Sequence, residues 1–135
     1  MYRVLLPTDD SVDRAKRQAT YVAALPCADE DVEVVLAHTM TDEERDVPEA
    51  MQRVDRVETV RRARDILEDA GIETETHELS SPPADGILEL SADEDVDEIV
   101  MGGRKRSPAE KAILGSVTQK VILNADVPVT VTGGA

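Results

Sequence analysis

Apolar residues along this chain cluster into short continuous runs separated by stretches with helical spacing. Tyr2 to Leu6 (YRVLL), Asp31 to Thr39 (DVEVVLAHT) and Glu98 to Met101 are dense in Val, Leu and Ile, as strands covered on both faces are. Ile72 to Leu79 alternates imperfectly and reads as a more exposed strand, and Val127 to Val131 (VPVTV) as a last one, with Gly133-Gly134 as a frayed tail. Between them the period changes. Ala15, Ala19, Val22 and Ala23 follow i, i+4, i+7, i+8, and the helix they define stops near Pro26. A longer helix begins at Pro48 and runs to about Ala70, with Met51, Val54, Val57, Val60, Ala63, Leu67 and Ala70 inward and Gly71 at its end. Ala84 to Ala92 is a short helix with Ile87, Leu88 and Ser91 inward, and Leu114, Val117 and Val121 start another that ends at Asn124. Thr41 to Asp46 is polar and reads as a mobile connection.

Strand and helix thus alternate throughout residues 1–135, which predicts an α/β fold: a single-domain, doubly wound five-stranded parallel sheet with helices on both faces. Ligands in such sheets sit at the carboxyl ends of strands where the winding reverses. The exit of the first strand (Pro7 to Ser11) and of the fourth (Met101 to Arg106) are predicted neighbours there. The fourth strand is expected to break at Gly102-Gly103 into a loop carrying Arg104, Lys105 and Arg106, followed by a helix starting near Gly115-Ser116. Small residues, cations and a helix N-terminus suit an anion.

Charge sharpens this picture. The chain carries 15 Lys+Arg against 29 Asp+Glu, a net of −14. Met101 to Lys120 alone is +4 and the remainder −18, so a phosphate is repelled by most of the surface and tolerated here. A solvated loop offsetting acidic neighbours explains the same charges. The acid excess, with four lysines and neither Phe nor Trp, fits adaptation to a salt-rich cytoplasm and argues against nucleic-acid binding, since no broad basic face exists. No apolar run reaches the roughly 20 residues that span a bilayer, and Met1-Tyr2-Arg3 leads straight into a strand, so the protein is expected in the cytoplasm. Cys27 is alone, which excludes an intrachain disulfide. His38 and His77, without a second ligand at metal spacing nearby, read as structural or surface residues.

In a nucleotide site Asp9 accepts from an adenine amino group or a ribose hydroxyl, while the Gly102 loop and Gly115-Ser116 donate to phosphates. Plainer roles exist for each: Asp9, Ser11 or Ser116 as helix caps, Gly102-Gly103 as a tight turn. There is no G-x-x-x-x-G-K-[ST], and the first strand leads into P-T-D-D-S rather than G-x-G-x-x-G, so P-loop and dinucleotide folds are unsupported.

Pro7-Thr8-Asp9-x-Ser11, Ala37-His38-Thr39, Met101-Gly102 and Gly115-Ser116-Val117 followed by V-I-L-N-A-D-V-P-V resemble the universal stress protein family over essentially the whole chain. The segment is similar to the ATP-binding branch, whose pattern is G-x-x-G, nine residues, then G-[ST]; Gly102 and Gly115-Ser116 keep the spacing, but Lys105 stands where the middle glycine belongs. That side chain either obstructs the backbone approach glycine permits or supplies an ammonium to the phosphate. The resemblance implies ATP or AMP, with Mg²⁺ accompanying a triphosphate, and a site comprising Pro7, Thr8, Asp9, Thr39, Met101, Gly102, Arg104, Lys105, Gly115, Ser116 and Val117. It also implies a stress-response or signalling role and a homodimer through Val127 to Val131. The alternative is a nucleotide-independent dimeric interaction module. Catalysis is the weakest reading, at most slow ATP hydrolysis, because Glu110 is the only acid in the 102 to 116 loop.

Overall fold

The computed structural model describes residues 1–39, 57–105 and 114–134, with Arg104 and Lys105 described by backbone only. The expected connection Thr41 to Asp46, the helix start from Pro48 to Arg56, and Arg106, Glu110 and Lys111 lie outside the described residues.

The chain runs β1 (Tyr2–Thr8), α1 (Val12–Ala23), α2 (Ala28–Asp31), β2 (Val32–His38), α3 (Glu58–Asp69), β3 (Glu73–Glu78), α4 (Pro83–Asp93), β4 (Glu98–Lys105), α5 (Ser116–Asn124) and β5 (Val129–Gly134). The five strands form one sheet in the order β3-β2-β1-β4-β5, every pair parallel. Side chains alternate across it. Val4, Leu6, Val34, Leu36 and Val100 pack with α1 and α3, whereas Leu5, Val35, Ala37, Ile99 and Met101 pack with α4 and α5. Both faces are covered, which explains the unbroken apolar runs of β1 and β2. The strand order reverses between β1 and β4, and that reversal positions the site.

Three details depart from the sequence expectation. β4 does not break at Gly102-Gly103 but continues to Lys105, slipping register against β5 between Gly102 and Lys105. A Cβ on Gly103 would lie 2.2 Å from the Thr132 carbonyl oxygen, so glycine serves close strand approach here, not a turn. The last strand is shifted to Val129–Gly134, and Gly134, expected in a frayed tail, pairs with Lys105. Pro128 has no N–H to give, yet its carbonyl accepts from the Ile99 N–H at 3.0 Å. The one-turn α2 was not foreseen; it follows Cys27, which is exposed with φ 57°. No described helix is long and apolar enough to cross a membrane.

At the amino end of β4, the Glu98 carboxylate is buried and accepts from the Tyr2 hydroxyl at 2.9 Å, from Thr130 and, at 3.5 Å, from Tyr21. Burial and then the Glu98 contact push the Tyr2 phenol from its ordinary 10.0 up to about 12. The neutral phenol is the form the fold favours. Its contribution to stability is therefore fully present below pH 10 and is lost as pH rises from there to about 12. Ultraviolet titration of a Tyr21→Phe variant is expected to show Tyr2 ionising near pH 12; ionisation near pH 10 in the folded protein would contradict the Glu98 contact.

Candidate functional site

A cleft of about 400 Å³ opens at the carboxyl ends of β1 and β4, within the size range of small-ligand sites. It is lined by Pro7, Thr8, Asp9, Thr39, Met101, Gly102, Gly115, Ser116 and Val117, together with Asp10, Arg14, Gln18, His38, Leu79, Pro83, Ile87 and Thr118. Nine residues singled out from sequence thus face one space. Of the remaining two, Arg104 and Lys105 continue the β4 backbone, and their side chains, including any contact of Lys105 with the cleft, lie outside the described residues.

The floor is polar and buried. His38 Nδ1 lies 3.0 Å from Thr8 Oγ1 and 3.2 Å from the Thr8 carbonyl oxygen. Thr59 Oγ1 donates to Thr8 Oγ1 at 3.3 Å, tying α3 to the same network. Thr39 Oγ1 is shielded from solvent and has no hydrogen-bond partner among the described residues. An unpaired hydroxyl beside a cleft is a place where a ligand's polar group lowers the free energy.

Three helix N-termini border the cleft, Pro83 opening α4 on its apolar side, and those of α1 and α5 are unlike each other. At α1 the Ser11 side chain accepts from the Arg14 N–H, Asp9 Oδ1 accepts from the Ser11 N–H at 2.9 Å, and Asp9 Oδ2 pairs with Arg14 Nε at 2.8 Å. With Asp10 and Asp13 adjacent, this end is already supplied with acceptors and negative charge. At α5 the N-cap is Gly115, no side chain among the described residues caps the helix, and no acid occupies its first turn. The open N–H groups of α5 therefore favour an anion, and those of α1 do not. Leu79, Pro83 and Ile87 give the opposite wall an apolar surface on which a flat ring can lie.

Sequence reasoning missed Gln18. It is 1% exposed, and its Nε2 donates to the carbonyls of Pro7 at 2.8 Å and Val100 at 2.9 Å. β1 and β4 are in register at Val4–Glu98 and Leu5–Ile99; farther along, the Gln18 amide holds the two strand exits together. Its signal was an amide on the Ala15, Ala19, Val22 stripe of α1. The Asp10–Arg14 pair, at helical i, i+4 spacing, was equally readable.

This architecture is that of an open α/β sheet with a cleft where the strand order reverses. The universal stress protein family model matches residues 1–133, and the chain belongs to that family. A universal stress protein structure from Archaeoglobus fulgidus is 31% identical, covers 98% of both chains and superposes with a TM-score of 0.77. A structure of the universal stress protein from the same organism in complex with dAMP is 27% identical over 98% of both chains, with a TM-score of 0.72. A universal stress protein of Methanocaldococcus jannaschii is 35% identical over 74 residues, 55% of this chain and 44% of that protein. The chain spans about half the length, or less, of the curated relatives it matches.

Proposed function

We propose that this chain binds an adenine nucleotide, ATP or AMP, in the cleft between β1 and β4, and that occupancy serves as a stress-response or signalling switch in a salt-rich cytoplasm. The observation that carries the reading is the convergence of Pro7, Thr8, Asp9, Thr39, Met101, Gly102, Gly115, Ser116 and Val117 on one cleft. The related Archaeoglobus protein solved with dAMP supports it. The base and ribose lie toward Asp9, Thr39 and the Ile87 wall; the phosphates lie toward Gly102, Ser116, Val117 and the uncapped end of α5. Mg²⁺ enters with a triphosphate, held by its phosphates rather than by a protein cage. Hydrolysis is not part of the reading, because Asp9 and Asp10, the described carboxylates lining the cleft, are ion-paired with Arg14.

Thermal stabilisation by AMP and ATP in molar KCl tests this. Saturating ligand is expected to stabilise the wild type by about 2–3 kcal/mol at a hundredfold excess over Kd. Gly115→Val removes the effect sterically, and Asp9→Ala weakens it roughly tenfold in affinity while leaving the fold intact. Equal stabilisation of all three proteins would place binding elsewhere.

A second reading, a dimeric interaction module, is favoured by a different observation. β5 is an edge strand, and on α5 Leu123 is 82% and Ile122 41% exposed. An unpaired strand edge and exposed apolar side chains each suit a second copy of the chain. Light scattering is expected to give a dimer at micromolar concentration that Leu123→Asp weakens; a wild-type monomer would refute the pairing.

A further inference from the structure

We propose a divalent transition-metal site, of the zinc or cobalt class, formed by Glu75, His77 and Glu94. Glu75 and His77 stand opposite Val35 and Ala37 of β2, on the sheet face that carries α4 and α5. Two residues apart on a strand, they point the same way. Glu94, at the C-terminal cap of α4, reaches them from a different element. His77 Nε2 lies 3.0 Å from Glu94 Oε1 and 3.3 Å from Glu75 Oε1, and the three ligand atoms lie within 4.8 Å of one another. A tetrahedral ion with bonds of about 2.0–2.1 Å sets its ligand atoms about 3.3 Å apart.

Charge argues in the same direction. Arg3 donates to Glu33 and Glu94 at 3.0 Å and also to Glu75, so three carboxylates share one guanidinium. The cluster holds an excess of two negative charges with His77 neutral, which a divalent ion balances. Arg3 takes Glu94 Oε2 and leaves Oε1 to face His77, the orienting role that outer hydrogen bonds play around metals; it also pairs with Glu75 Oε1, so Glu75 ligates an ion through its other oxygen, Oε2, or by releasing the guanidinium. His77 and Glu94 side chains are 34% and 24% exposed, so an ion can enter and retain water. The imidazole selects zinc or cobalt over magnesium, which prefers oxygen alone. None of the three residues lines the nucleotide cleft, and the proposal does not rest on that reading. His77 was expected to lack a second ligand; Glu75 was visible two residues away, whereas only the fold delivers Glu94.

The rival occupant of this space is a proton on His77. Calorimetric titration of the nucleotide-free protein with Zn²⁺ in molar KCl distinguishes them, in a Cys27→Ser background that removes the exposed thiol. One equivalent is expected, bound at least about tenfold tighter than Mg²⁺. His77→Ala and Glu94→Gln are each expected to weaken Zn²⁺ by at least about tenfold. In the unmutated cluster, Co²⁺ is expected to develop visible d–d absorption and to broaden the His77 ring proton signals. Zinc affinity unchanged by His77→Ala, or no saturable binding with no effect of Co²⁺ on those signals, would overturn the proposal and assign the contacts to a protonated imidazole.

Discussion

Gly86→Ala is expected to lower stability by about 2–3 kcal/mol, a fall in Tm of roughly 10 °C for a chain of this size. Helix propensity alone points the other way, since Ala is favoured over Gly in a helix interior by about 1 kcal/mol. The difference lies in packing. Gly86 is buried in the first half of α4, and a Cβ there would sit 2.1 Å from the carbonyl oxygen of Ser80. Backbone cannot rotate away as a flexible side chain does, so the helix start or the turn before it must shift. That turn joins Leu79 to Pro83, and both line the cleft, so nucleotide affinity is expected to fall along with stability. Gly133, where an added Cβ meets nothing within 4 Å, is the matched control, with an expected change within about 0.5 kcal/mol. A Gly86→Ala protein as stable as wild type in a thermal melt would contradict the close approach.

The second large effect is expected from Gln18→Leu, which removes one amide and leaves two buried carbonyls, those of Pro7 and Val100, without this donor. Each such loss costs about 1–3 kcal/mol, so a total of about 2–6 kcal/mol is expected from denaturant melts. The site suffers as well. Gln18 Oε1 would lie 3.1 Å from a Cβ on Gly102, and Arg14 Cβ 3.2 Å, so α1 rests directly on the end of β4 that borders the cleft. With the amide gone, the exits of β1 and β4 separate and nucleotide affinity falls more than the melt alone implies. Undiminished stability and binding would show that the strand exits are held by other contacts.

Strand and helix positions were legible wherever burial is two-sided, as in β1, where Val4, Leu5 and Leu6 are all fully buried. The ends of β4 and β5 were not, because glycine carries no hydrophobic signal and was read as a turn or a tail. In the sheet Gly102, Gly103 and Gly134 lie within strands, and the reason at Gly103 is a neighbouring carbonyl that sequence alone does not reveal. Asp9 was foreseen both as a cap and as a ligand acceptor; its Oδ1 does cap the Ser11 N–H while the residue borders the cleft. The apolar wall of Leu79, Pro83 and Ile87 was hidden because it is assembled by a crossover, not by a local motif. Glu94 joined Arg3, Glu75 and His77 for the same reason: the residues are distant in the chain and meet only when β3 and α4 dock.

Lys105 stands where the nucleotide-binding pattern expected from the sequence has glycine, and its effect is decided by binding itself. Isothermal titration of the wild-type protein with ATP and with AMP in molar KCl is the direct measurement. One saturable site per chain is predicted for at least one of the two nucleotides, with the heat abolished in Gly115→Val. No heat from either up to millimolar concentration, with no accompanying rise in Tm, would contradict nucleotide binding in the β1–β4 cleft.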